Sequence, residues 1–245
     1  MLFKLIQVEL LKTKRSLALL MMFLCPLMVV FVNLLLFINS DGKIVNEKGW
    51  GTFWLTNYGM WGYFMMPLYI ALITALLNGV EHKSNGWRYM TTLPINPKQI
   101  FVAKFILAWA YLIGASLILF TSIFFVILAL NSFGYTGGEL ISITIFEKII
   151  YACVASLAIL MIQHIVSWRW QNIVAPLGLG VLATFSVMQF SSSKYWFINP
   201  WTYTLMTTNA SNMSNQNNAL IYSLFLTICL LVIGMFWLGR REVTC

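Results

Sequence analysis

The sequence predicts an all-α integral membrane protein of six transmembrane helices with both termini on the cytoplasmic side. Three observations carry this expectation: of 245 residues, 60% are hydrophobic, only 9% are charged, and six apolar stretches are long enough to cross a bilayer. A soluble domain averages about 25% charged residues, so this chain lacks the polar surface that water requires. The mean hydropathy of +0.82 agrees. Soluble enzymes, secreted disulfide scaffolds and disordered tails are excluded, leaving one transmembrane domain over residues 1–245.

Residues 1–16 read as an interfacial helix. Leu2, Ile6 and Leu10 form one stripe, while Lys4, Lys12, Lys14 and Arg15 supply the polar side. A spanning helix needs about 20 apolar residues, and the expected spans lie at 17–38, 59–80, 103–130, 147–167, 173–190 and 218–239. The first is too long for a secretion signal, and no A-x-A-like cleavage site follows it. The third is long enough to tilt or project from the bilayer. Pro26, Pro67 and Pro176 predict kinks in the first, second and fifth spans, because each removes a backbone donor.

The loop at 82–97 is longer than a simple reversal needs and mixes charges with large aromatics. Ser84 can cap a short helix in which Trp87, Met90 and Leu93 recur at helical spacing with Arg88 on another face. Pro94 stops it, and Asn96 followed by Pro97 opens the next helix as cap and first helical residue, with Gln99 reaching back. Two readings of the short helix stand open: an anchor in the headgroup layer, or a knob that fits a cytoplasmic partner. The outer connections lie at 39–58, 131–145 and 191–217. The last carries Tyr195, Trp196, Phe197, Trp201 and Tyr203, suited to the outer interface as an aromatic belt or as a gate.

Orientation follows from the basic residues. Lys4, Lys12, Lys14, Arg15, Lys83, Arg88, Lys98, Lys104, Arg169, Arg240 and Arg241 fall on one side, with only Glu9, Glu81 and Glu242 against them. Lys43, Lys48, Lys148 and Lys194 are balanced on the other by Asp41, Glu47, Glu139 and Glu147, so the whole net charge of +8 lies on the cytoplasmic side.

Chemistry within the chain is sparse. The only Gly-Lys pair, Gly42-Lys43, is followed by Ile44 and does not make a phosphate-cradling loop. No HExxH pair, GxSxG elbow or intramembrane carboxylate pair suggests hydrolysis. Cys25, Cys153 and Cys229 sit in apolar runs and Cys245 ends the chain, a pattern that predicts neither disulfides nor zinc. Gln163 and His164 read as polar capping of the fourth span, with proton carriage the alternative. No catalytic residue, metal site or cofactor is expected, and energy for transport would come from outside the chain.

Four pieces together resemble permease subunits of ABC-2 type transporters, of the type V exporter kind, most closely the lantibiotic-immunity branch. They are the run Val8 to Ser16 (VELLKTKRS), Glu81 closing the second span, Leu93-Pro94-Ile95-Asn96 with Lys104 beyond, and the terminal Arg240-Arg241-Glu242-Val243. The resemblance implies a homo- or heterodimer of permeases in the plasma membrane of a Gram-positive bacterium, docked on separate ATP-binding cassette ATPases that bind the ATP and Mg. It implies that the N-terminal helix and the loop helix meet those ATPases. Glu81, Lys83, Trp87 and Arg88 are then the coupling contacts, supported by Glu9, Lys12 and Arg15. It also assigns an outer gate to Tyr195, Trp196, Phe197, Trp201 and Tyr203. Uncharged spans suit an amphipathic peptide or lipid-like cargo better than a sugar, ion or nucleotide, and the resemblance implies a lantibiotic- or bacteriocin-type peptide. Open alternatives are a cytolytic peptide, a bacitracin-like drug, a lipid-linked compound, or a non-transporting scaffold or sensor; an intramembrane hydrolase is the weakest.

Overall fold

The computed structural model describes residues 2–14, 16–40, 45, 49–83, 96–140, 143–208 and 213–238, with the side chains of Lys83, Ile143, Trp237 and Leu238 left aside. Among these residues all regular structure is helical. The helices are α1 (Leu2–Thr13), α2 (Leu17–Asn39), α3 (Trp50–Met60), a π-turn (Trp61–Met65), α4 (Met66–Lys83), α5 (Pro97–Ser132), α6 (Ile143–Ala155), α7 (Leu157–Arg169), α8 (Val174–Phe190), a 3-10 turn (Trp196–Ile198), α9 (Thr202–Thr208) and α10 (Met213–Leu238).

Among the described residues, five stretches are long and apolar enough to cross a membrane: α2, α3 through α4 to His82, α5, Thr144–Arg169, and α10 from Met213 to Phe236. The helix at the expected fifth span, α8, has 17 residues, about 26 Å at 1.5 Å per residue against a hydrocarbon core of about 30 Å. Burial separates interior from periphery. The second and fourth spanning stretches are 61% and 67% buried by the protein itself, whereas α2 and α10 are 22% buried. Thus α4 and α7 pack together at the centre, α5 holds α2 and α1 on one flank, and α10 with α9 covers the other.

Local sequence accounts for two of the helix starts. Ser16 caps α2 by accepting from Ala18 N at 3.2 Å, and Asn96 caps α5 by accepting from Lys98 N at 3.0 Å, with Pro97 at the first helical position as expected. At 36 residues, α5 is about 54 Å long, longer than a hydrocarbon core of about 30 Å.

Three expectations change. The second span starts at Trp50 rather than 59, because Gly51, Thr52, Thr56 and Asn57 depress its hydropathy while Trp50, Trp54 and Tyr58 bury it in protein. Pro67 is accommodated by the π-turn before it: Met66 N bonds Trp61 O, one residue further back than in an α-helix. That register shift relieves the ring clash proline imposes on the preceding turn. Pro176 falls in the first turn of α8, where N–H groups have no intrahelical partner, and so breaks no bond.

The fourth span is broken at Ser156 into α6 and α7. Ser223 of α10 repairs the break, accepting from Ala158 N at 3.2 Å and reaching Ala155 O at 2.9 Å and Val154 O at 3.1 Å. In a membrane such freed backbone groups need a protein partner.

Candidate functional site

Among the described residues, the α1 end of the bundle gathers the buried charges Glu9, Glu81 and Lys104. Lys104, on the second turn of α5, donates to Glu9 Oε2 at 2.6 Å, Glu81 Oε2 at 2.8 Å and the Leu77 carbonyl at 2.9 Å. Those three acceptors use all three ammonium hydrogens. Lys12 closes the ring, reaching Glu9 Oε1 at 2.6 Å and Glu81 Oε1 at 3.2 Å. Two carboxylates therefore each bridge two lysines, and the cluster is neutral. Its side chains are buried at Lys104 (1% exposed), Glu81 (3%) and Glu9 (6%), and Lys12 at 33% forms the wet edge.

This clasp fixes α1 to α4 and α5 together. A second tie lies one turn away, where the Tyr111 hydroxyl donates to Thr13 Oγ1 at 2.7 Å and the Tyr69 hydroxyl donates to the Tyr111 carbonyl at 3.3 Å. Burial works against ionisation of Glu9, but the Lys104 charge and the hydrogen bonds from both lysines override it and hold the carboxyl below its usual range. Burial likewise opposes the Lys12 ammonium. The hydrogen bond to Glu9 and the two facing carboxylates outweigh it and raise Lys12 above its usual value.

The expected stripe of α1 is rearranged by this chemistry. Leu2 and Ile6 are half-buried but Leu10 is exposed, and the fully buried positions are Glu9 and Thr13. Phe3, Leu10 and Leu11 point away from the protein, as expected of a helix that turns its ionic face inward and gives apolar side chains to lipid.

Beside the clasp, α7 is pinned through buried neutral groups. His164 Nε2 faces the Phe101 carbonyl at 3.1 Å and Nδ1 faces Asn78 Nδ2 at 3.2 Å. A carbonyl can only accept, so Nε2 carries the hydrogen and Nδ1 accepts from Asn78. Asn78 also donates to Ser167 Oγ at 2.6 Å. His164 therefore links α7 to α4 and α5 instead of capping α7. Gln163, with its amide nitrogen toward Pro176 O at 3.2 Å and its oxygen toward Gly180 N at 3.3 Å, holds α8 in the same layer.

Of the residues singled out for coupling, Glu9, Lys12 and Glu81 come together in the clasp. Lys83 ends α4, its side chain outside the described residues, as are Arg15, Trp87, Arg88 and the short helix expected from Ser84 to Leu93. The clasp's centre, Lys104, stands in the sequence as a lysine one residue inside an apolar stretch, a costly placement that signals a partner. At the opposite end, the expected gate residues divide. Trp196, Trp201 and Tyr203 are buried while Tyr195 and Phe197 are exposed. Tyr203 donates to the Phe197 carbonyl at 2.6 Å, and its ring meets Trp196 edge-on at 6.2 Å. Among the described residues, no group of three or more His, Cys, Asp or Glu is placed to hold a metal.

No curated protein matches the chain. The family model of the ABC-2 family transporter proteins matches residues 5–189, from α1 through α8 and so across every residue of the clasp. The chain belongs to this ABC-2 family, whose members are membrane permeases rather than catalysts in themselves.

Proposed function

We propose that this chain is the permease subunit of an ATP-driven exporter that expels hydrophobic or amphipathic peptides of the lantibiotic or bacteriocin type from the membrane of a Gram-positive bacterium. The clasp is the observation that supports this reading best. A push on the cytoplasmic face needs a rigid connection to the spans, and Lys104 with Glu9, Glu81 and Lys12 joins the N-terminal helix to α4 and α5 at one point. Glu81, Lys83, Trp87 and Arg88 then act as the coupling contacts, supported by Glu9, Lys12 and Arg15.

In this reading α8 is a sixth, short span, both termini are cytoplasmic, and two permeases pair over two ATP-binding cassette subunits. ATPase closure drives the loops at 82–97 together and tilts α4 and α5 of each subunit. The change is a shift between two states that both ends of the chain bias. Tyr195, Trp196, Phe197, Trp201 and Tyr203 form the outer gate.

The test co-expresses the chain with ATP-binding cassette proteins of its source organism in a lantibiotic-sensitive host. Co-purification, ATPase activity stimulated by the permease, and protection against a lantibiotic panel are expected. Protection should be lost with Arg88→Glu while assembly persists. Purification without an ATPase and absence of ATP-dependent protection would point to a scaffold or sensor. Protection against other hydrophobic compounds alone would reassign the cargo.

A further inference from the structure

The clasp leaves one N–H group open. Lys104 uses its three ammonium hydrogens on Glu9, Glu81 and the Leu77 carbonyl. Lys12 meets two acceptors, Glu9 Oε1 at 2.6 Å and Glu81 Oε1 at 3.2 Å. An ammonium carries three hydrogens, so the third of Lys12 has no partner among the described residues, on a side chain that is 33% exposed.

Two further cations share that surface. Lys4 and Lys14 are exposed, and neither has a partner among the described residues. Lys4, Val8 and Lys12 recur every four residues and so share one flank of α1, with the two lysines about 12 Å apart along the axis. Apolar side chains are threaded among them: Val8 is 49% exposed, Leu11 66% and Phe3 71%. Glu9, the one carboxylate in residues 2–14, is hidden in the clasp with Glu81. The docked helix therefore shows three cations and no exposed carboxylate.

Such a surface fits a ligand that offers both an anion and hydrocarbon. A phospholipid offers both, whereas an acidic protein surface would answer the lysines and leave Phe3 and Leu11 in water. The helix also leads directly into α2, which is 22% buried by the protein, so its lysines stand where a span enters the bilayer. We propose that α1 is a binding surface for the phosphate groups of anionic phospholipids in the adjacent leaflet, received by Lys4, Lys14 and the open N–H of Lys12, and that the bound lipid strengthens the docking of α1 on α4 and α5. The strengthening follows from Glu9. Undocking adds its negative charge to the surface that faces the leaflet, so a lipid of net negative charge binds the docked form better and shifts the balance toward it. One charge beside an anionic leaflet corresponds to about a fivefold shift. The property belongs to the chain alone and does not depend on the ATPase or the cargo.

The test uses the full chain. In native mass spectrometry from detergent, phosphatidylglycerol is retained severalfold more than phosphatidylcholine. Lys4→Gln/Lys14→Gln changes two exposed side chains outside the clasp and removes the preference; Lys98→Gln, at the start of α5, keeps it. In phosphatidylcholine nanodiscs, adding phosphatidylglycerol slows amide exchange of α1 about fivefold relative to Gln171 and Asn172. Those two residues are exposed at the same end, since Ser167 reaches Asn78 and His82, and they report what surface charge alone does to exchange. Equal retention of the two lipids, or a preference that survives the double replacement, overturns the site. Survival of the preference together with loss of a co-purifying ATPase assigns the lysines to an acidic protein surface instead. Exchange of α1 that changes no more than that of Gln171 and Asn172 overturns the link to docking.

Discussion

Replacing Lys104 by Met removes the centre of the clasp while keeping most of its volume. Lys104 makes contacts of 2.6, 2.8 and 2.9 Å at 1% exposure, and its loss leaves the buried carboxylates of Glu9 and Glu81 with Lys12 alone. Breaking a buried ion pair by removing one partner costs about 3–5 kcal/mol, which shifts the balance between docked and undocked α1 by roughly 100-fold to a few thousand-fold. Lys12, a third exposed on the water side, falls under the weaker surface rule of about 0.2–1 kcal/mol, at most about fivefold. Amide hydrogen exchange of α1 in nanodiscs reads the difference directly, since undocking exposes its backbone before the bundle unfolds. Lys104→Met should bring α1 close to the exchange of a free interfacial helix, whereas Lys12→Met should barely alter it. The triple replacement Glu9→Leu/Glu81→Leu/Lys104→Met, which leaves only the Lys12 charge at the exposed edge and no charge in the buried centre, should recover protection. Exchange in Lys104→Met within fivefold of the native chain, or a larger effect from Lys12→Met, would show that other contacts hold α1.

The docking of α1 should also depend on pH at both extremes. Glu9 is lowered from 4.5 by docking, so its contribution is complete above that value and is lost as pH falls through the lower docked value. Lys12 is raised from 10.5, so its contribution is complete below that value and is lost as pH rises through the higher docked one. Exchange of α1 should therefore be flat between 4.5 and 10.5 once corrected for intrinsic rates, and the apolar triple variant should lose the acid limb. Ser223→Ala removes the donor and acceptor at the Ser156 break and should cost about 1–3 kcal/mol, read as a lower unfolding midpoint and faster exchange at Ala158. Gly180→Ala should push α8 off α4, because a Cβ there collides with the Ala71 Cβ. Ala71→Gly in the same chain should restore the native unfolding midpoint.

What the sequence made legible was local, and what it hid depended on partners distant along the chain. Asn96 and Pro97 announce the start of α5 within four residues, and the composition of 103–130 announces its length. The existence of α1 was equally readable, but its rotation was not. Its apolar stripe argues for burying Leu10, whereas Glu9 and Thr13 are buried because Lys104 and Tyr111 wait for them on α5. Glu9 and Glu81 could be picked out as isolated acids among basic residues, yet nothing near either one shows that they share two lysines. The Ser156 break illustrates the same limit, since its repair comes from Ser223, 65 positions beyond the backbone nitrogen it serves. Residues 50–58 read as a loop because Gly51, Thr52, Thr56 and Asn57 lower their hydropathy, whereas Trp50, Phe53, Trp54, Asn57 and Tyr58 are buried against protein.

One helix runs between the two ends of this chemistry. The stretch from Trp50 to Lys83 carries Glu81 at the clasp and Trp61 at the π-turn, and it lies against α2, α5, α7, α8 and α9. A straight α-helix would pass a tilt at Glu81 rigidly to its far end. Here the tilt meets Pro67, where the missing N–H and the shifted register of the preceding turn make bending cheapest. Above that point Gly62 lets α9 approach without a side chain between them. A displacement at the clasp should therefore rotate α4 about its π-turn and change the fit against α9 before it disturbs the dense packing of α4 on α7. Replacing Pro67 by Leu would restore a backbone donor, remove the steric reason for the shifted register, and uncouple the ends. The expected result is a clasp that still holds α1 by hydrogen exchange and an ATPase that still turns over, in a chain whose α9 amides no longer change their exchange on trapping with ATP and vanadate.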